Sequence, residues 1–207
     1  EKAFTSFEPS DTILNYSVFD KKLQLFIEDA NSIHDSIRYS ALKSVSYLTL
    51  TKNDLNELQS SIDTYQFKTE EHDALNQLYE KIGRIQDASI IPFLEKNYKK
   101  EDSSPSTQIQ ILKALSFQKS KLAYKKIQEL MNYDLPVSDN IYEIQQLFKI
   151  FENDTKNSAI LFPDIFQLYS IKEYHDPVVN FTTRLIEDNL VNAKNLKSYK
   201  KMLLTNA

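Results

Sequence analysis

Cysteine and tryptophan are absent from this chain, and a single glycine, Gly83, stands among its 207 residues. Without thiols there can be no disulfide, no thiolate metal site and no cysteine nucleophile, while the cellular compartment is left open. Without glycine the tight turns that join strands into sheets lack the residue that tolerates positive φ. The same scarcity removes phosphate-cradling loops, dinucleotide fingerprints and the strained glycine-flanked elbow of a serine hydrolase. No apolar run is long enough to span a bilayer. The formal net charge is −4, so no global field would draw in a polyanion.

What remains reads as helices. Hydrophobic residues make up 41% of the chain and aromatics 12%, enough for a packed core and too much for a disordered chain. Helix pairs joined by Asn, Asp and Ser turns need no glycine, so the expected class is all-α.

The apolar spacing repeats. Leu78, Ile82, Ile90, Ile91 and Leu94 recur 33 residues later as Ile111, Leu115, Ala123, Tyr124 and Ile127. They recur again as Ile144, Phe148, Leu161, Phe162 and Ile165, with Asn153 to Asn157 taken up at the turn. Helix–turn–helix units at such a period predict an α-solenoid in which each unit buries its apolar face on its neighbours.

Start signals and periodicity place the elements. Residues 1–18, with Phe4, Phe7 and Pro9, read as an extended arm or linker, and 19–207 as one helical repeat domain. Asp20 is expected to cap the first helix and Asp35 the second, whose stripe is Ile37, Ala41, Leu42, Val45 and Leu48. Thr51 opens the third helix. Thr69 caps the fourth, which places Glu70 and Glu71 against its dipole, and Gly83 ends it or nearly so. Asp87 starts the fifth, with Pro92 in its opening turns, and Pro105 closes a polar linker. Helices follow at about 106–117, 120–133, 138–152, 157–171, 176–190 and 193–205, giving about ten or eleven with short antiparallel connections.

Asp35-Ser36-Ile37-Arg38 followed by Ala41-Leu42 resembles the second helix of a HEAT repeat, with an Asp cap, a following basic residue and an Ala-Leu seam. Asp176-Pro177-Val178-Val179 is a second instance, with Asn180 at the basic position. The stretch Leu78 to Leu94, turning at Gly83 and Asp87, resembles the crossing between HEAT units, and Pro163 matches Pro92 in its own unit. The period is shorter than the usual HEAT unit, and the Trp, Gly and Tyr pattern of TPR first helices is missing. The resemblance implies a right-handed superhelix. Residues Phe162 to Tyr169 and the tail around Tyr199 resemble helical C-terminal parts of large bacterial TraB/GumN-type proteins, which implies an accessory region.

No catalytic constellation emerges, and no cofactor or metal set. His34, His72 and His175 lie far apart, and His72 shares a first turn with Glu70, Glu71 and Asp73 that points in several directions. Lys119, Lys121, Lys125 and Lys126, and Lys194, Lys197, Lys200 and Lys201, have the spacing of solvated helix faces. Tyr98, Tyr133, Tyr142, Tyr169 and Tyr174 could serve a recognition ridge or fill the core. Asn15, Asn153 and Asn180 begin glycosylation sequons, as chance supplies in so Asn- and Ser-rich a chain.

The expected function is a non-catalytic scaffold for a protein or peptide. Its concave face would be formed by the second helix of each unit around Arg38, Glu71, Gln108, Gln110 and Arg184. The alternative is a helical accessory domain of an enzyme whose catalytic part precedes it; a start at Glu1 and the lack of a signal-peptide pattern fit a segment of a longer protein. A lysine ridge for nucleic acid is a third reading, opposed by the acidic balance.

Overall fold

The computed structural model describes residues 22–101, 104–192, 194 and 197, and among these every regular element is a helix. In chain order they are α1 (Lys22–Ala30), α2 (Asp35–Lys43), α3 (Leu55–Thr64), α4 (His72–Arg84) and α5 (Ile90–Lys100). Then come α6 (Pro105–Ser116), α7 (Lys121–Tyr133), α8 (Ile141–Asn153), the short α9 (Thr155–Ser158) and α10 (His175–Glu187). Five 3₁₀ segments join or extend them, including Thr69–Glu71, Ala159–Leu161 and Asp164–Ser170.

From α4 onward the helices lie in two rows. α4 packs on α6, α6 on α8 and α8 on α10, forming the more closely packed row. α5 and α7 form the other row, which continues into α9 and Ala159–Leu161. One apolar core runs between them from Leu23 to Val191, with Leu78, Ile111, Ile144 and Val178 at matching places on successive helices of the first row.

Long-range side-chain bonds recur at similar separations along the chain. Lys81 donates to the carbonyls of Ser46 (2.9 Å) and Leu48 (2.7 Å). Gln118 donates to Gly83 O (2.7 Å) and Ile85 O (2.9 Å) and accepts from Asp87 N (3.1 Å). Lys96 reaches Asp63, Gln128 reaches Asp164, and Thr155 reaches Asp188. Among the described residues these long-range bonds join positions 31 to 38 apart. The Gln108–Asp134 bond, at 26, is the exception.

Gly83 lies inside α4 rather than beyond its end, and its φ is not positive. Its role is contact. A Cβ there would stand 2.5 Å from Ala114 Cα and 2.6 Å from the Ala114 carbonyl oxygen, so α4 and α6 touch backbone to backbone.

Four expectations are corrected. Asp35 does not cap α2; His34 holds the cap position, and Asp35 pairs with Arg38 at 2.7 Å. Ile37, in the first turn of α2, is exposed; the core side of α2 is Ala41 and Leu42, and Val45 follows in the 3₁₀ turn after Lys43. Thr69 lies inside a 3₁₀ turn that follows Lys68, which places Glu71 just before α4. The single helix expected over 157–171 is broken into α9 and two 3₁₀ segments on either side of the cis Phe162–Pro163 bond. Proline there lacks a donor and forces Phe162 into extended backbone, at ψ 137°. The 1–18 arm, the Asp20 cap, the Asn15 sequon and the helix at 193–205 lie largely or wholly outside the described residues.

Candidate functional site

In the α4–α6–α8–α10 row one set of positions on each helix, spaced i, i+3, i+7, makes a strip of mostly solvent-reaching side chains, beside which Tyr142, Lys149, Val179 and Thr183 are also exposed. The first position is held by Gln77, Gln110 and Glu143, with the buried Pro177 completing it on α10. Glu80, Lys113, Gln146 and Asn180 hold the second. The third is Arg84, Phe117, Ile150 and Arg184. Because the helices adjoin in order, the four strips form one surface with an amide-rich midline and a partly apolar third column. Contacts confirm the register between neighbours. The Arg84 guanidinium sits 4.5 Å from the centre of the Phe117 ring, one position equivalent to the next.

The charges on this surface are mostly engaged. Arg84 donates from Nη2 (2.7 Å) and Nε (3.0 Å) to Glu80 Oε1. Glu143 accepts from Ser106 (2.9 Å), Ser138 (3.3 Å) and Asn140 (3.3 Å). Arg184 lies within 3.5 Å of Glu187 and 3.4 Å of Asp188. Lys113 differs. It is half-buried at the middle of α6, whose other residues from Thr107 to Ser116 are buried apart from Gln110. Burial holds its ammonium below the usual lysine value, opposed by the carboxylates of Glu143 and Glu80. It is the one lysine at the strip positions named above; beside them Lys81 on α4 donates to the Ser46 and Leu48 carbonyls, and Lys149 on α8 pairs with Glu152.

The residues singled out from sequence divide. Gln110 and Arg184 lie on the strip surface. Arg38 and Glu71 are brought together, with Arg38 Nε 3.1 Å from Glu71 Oε1, but inside the fold: Glu71 is 8% exposed and also accepts from Tyr65 Oη (3.2 Å) and Lys68 N (3.0 Å). Burial and the Glu71 carboxylate push the Tyr65 phenol up to about 12. Gln108 is 2% exposed and donates to Asp134 Oδ2 at 2.7 Å. These three side chains hold the chain to itself. Sequence reading passed over Lys113, although a repeat register counted 33 residues on from Glu80 reaches it.

Of the first lysine cluster, the α7 members lie in the row opposite the strip surface. Lys121 and Lys125 are exposed on α7, in the other row, and Lys126 pairs there with Glu95 (2.9 Å) and Glu129 (2.6 Å). Lys194 and Lys197 are exposed, while Tyr199, Lys200 and Lys201 lie outside the described residues. Tyr98, Tyr169 and Tyr174 are core residues, and Tyr133 and Tyr142 are exposed. His34 is exposed, and His72 and His175 each begin a helix.

An open cleft of about 650 Å³ lies between the N-terminal ends of α8 and α10, lined by Ile141, Gln145, Tyr169, His175, Asp176 and Pro177 among others. Its floor is aromatic: the His175 ring centre is 4.4 Å from that of Tyr169, and His175 Nδ1 is 2.8 Å from Asp176 Oδ1. Ser170, in the same cleft, donates to the Gln167 carbonyl at 3.5 Å. Among the described residues no group of three or more His, Asp or Glu is placed to hold a metal ion. No described helix is long and apolar enough to cross a membrane.

No family model, curated protein or solved structure matches the chain.

Proposed function

We propose that this chain is a HEAT-like α-solenoid that binds a protein or peptide across the face of α4, α6, α8 and α10. The observation that carries the reading is the constant register: hydrogen bonds between units at separations of 31 to 38 residues, and surface strips that repeat at matching positions. A stack with that register places equivalent side chains in columns, and columns of amide, charged and apolar groups are the chemistry of peptide recognition rather than of bond making. In a curved stack the more closely packed row lies on the inside, and on this reading the strip surface is the concave one.

Two measurements test this. Small-angle scattering should give a radius of gyration well above the about 17 Å of a compact 207-residue globule; a value near 17 Å overturns the solenoid. A random peptide library selected on the whole chain should yield binders whose affinity falls about tenfold or more when Gln110 and Gln146 are both changed to Arg, and holds when Lys125 on α7 is changed to Glu. Failure to select any binder, or binders indifferent to the strip surface, overturns the function.

A further inference from the structure

The Lys113 ammonium has no hydrogen bond or ion pair among the described residues, although two carboxylates stand near it on the helices either side. Each of those is committed elsewhere, Glu80 to Arg84 and Glu143 to two serines and Asn140. The ammonium is therefore a cation at the centre of the strip surface, partly stripped of water by α4 and α8, with its donors unused. Around it stand Gln110 one turn before, Phe117 one turn after, and Gln146 in the same column on α8.

We propose that Lys113 anchors an acidic side chain of a bound peptide, an Asp or Glu whose neighbouring apolar residue lies against Phe117 and Ile150. This rests on the binding reading above and names the partner's chemistry. The geometry favours one carboxylate over a polyanion. A single half-buried ammonium offers one charge-assisted bond to a compact anion, and it stands without the row of cations that a run of phosphates needs. Gln110 and Gln146 can pair with the backbone of an extended or helical peptide laid across the strips, which sets the peptide's register with respect to Lys113. Arg84 contributes its apolar face over Phe117 and its charge to Glu80, so it does not compete for the ligand's carboxylate.

The test is the library selection on the whole chain, followed by fluorescence anisotropy with the best labelled peptide and its Glu→Gln or Asp→Asn twin. Selected peptides should carry an acidic residue next to an apolar one, and the amide twin should bind roughly tenfold to hundredfold more weakly. Lys113→Gln should remove that difference between twins while circular dichroism and melting remain those of the parent. Lys113→Glu should turn the selection toward Lys or Arg at the same peptide position, an effect that loss of structure cannot produce. Peptides that bind the strip surface without an acidic residue, or twins that bind equally, overturn this inference and leave the binding reading standing. A labelled oligonucleotide that binds the parent and is lost in Lys113→Gln also overturns it, in favour of a phosphate ligand. Selection of no peptide at all overturns the reading beneath it.

Discussion

Gly83 and Lys119 show a single Cβ working against the fold at two places in this chain, by contact at the first and by backbone conformation at the second. At Gly83 the helix would gain about 1 kcal/mol from alanine on propensity alone. The added methyl would instead meet the Ala114 backbone at 2.5 Å, and backbone cannot turn aside as a side chain does. Gly83→Ala should therefore destabilise by about 2–3 kcal/mol, read as a fall in the urea midpoint at unchanged slope. A stabilised variant would show that α4 and α6 do not touch there. At Lys119 the backbone has φ 46°, a left-handed conformation that costs a Cβ-bearing residue about 1 kcal/mol, and the side chain is exposed. The bonds made by this residue are backbone ones, to Ser116 O and from Asn157, so they survive substitution. Lys119→Gly should raise stability by about 0.5–1 kcal/mol, the reverse of the usual effect of glycine.

Between elements the recurrent device is a polar side chain that reaches the main chain one unit away. Tyr98 on α5 donates to the Asp134 carbonyl, and Tyr174, just before α10, donates to the Pro136 carbonyl at 2.6 Å. With Gln108 on Asp134 Oδ2, three side chains from three elements pin residues 134–136. Removing one hydroxyl strands a buried carbonyl and should cost about 1–2 kcal/mol in Tyr98→Phe or Tyr174→Phe. The double variant should lose protection locally, seen as faster amide exchange and protease cutting over 134–140 before global unfolding. Equal protection in parent and variant would mean that these hydroxyls do not hold the connection.

Over the whole molecule the charges and phenols set the pH limits. Asp87 accepts from Lys52 (2.6 Å) and from the Ser89 amide (2.9 Å), which hold its carboxyl well below the usual carboxylate range. A depressed folded-state value contributes stability that is present above the ordinary carboxylate range and lost as pH falls through the folded value. Asp87→Asn should flatten the acid limb of a stability–pH curve and leave the neutral plateau lower. The phenols act at the other end. Burial raises those of Tyr79, Tyr98, Tyr124 and Tyr174, and Tyr65 is pushed up to about 12. Their contribution is complete below the ordinary phenol value near 10 and is lost as pH rises through the folded values. Ultraviolet titration should show the exposed tyrosines ionising near pH 10 and a later, cooperative step at or above about 12 that coincides with loss of helix. A single smooth titration near 10 would contradict that burial.

How much of this could be read beforehand depended on whether the signal was local. Pro105 opens α6, α7 falls within the expected 120–133, and Leu55, Leu58 and Ile62 face the core as their spacing required. Local signals misled where a tertiary partner competed. Asp35 has the form of a cap but is drawn to Arg38, and the run after Asn157 has helical spacing but is broken at Pro163. Among the five residues singled out for a partner, Glu71 and Gln108 are polar types that lie buried because Arg38, Tyr65 and Asp134 satisfy them there. No single-sequence rule foresees that, since each of those bonds closes over dozens of intervening residues or depends on the path of a turn.

The sequence by itself determined that the protein is helical. It did so through the scarcity of glycine and a period of apolar residues, both properties of short stretches that need no knowledge of neighbours. The tertiary structure alone decided which polar side chains are spent inside the fold and which face out. That choice turns on distances between helices, and it is what leaves Lys113 with its donors unused beside two committed carboxylates.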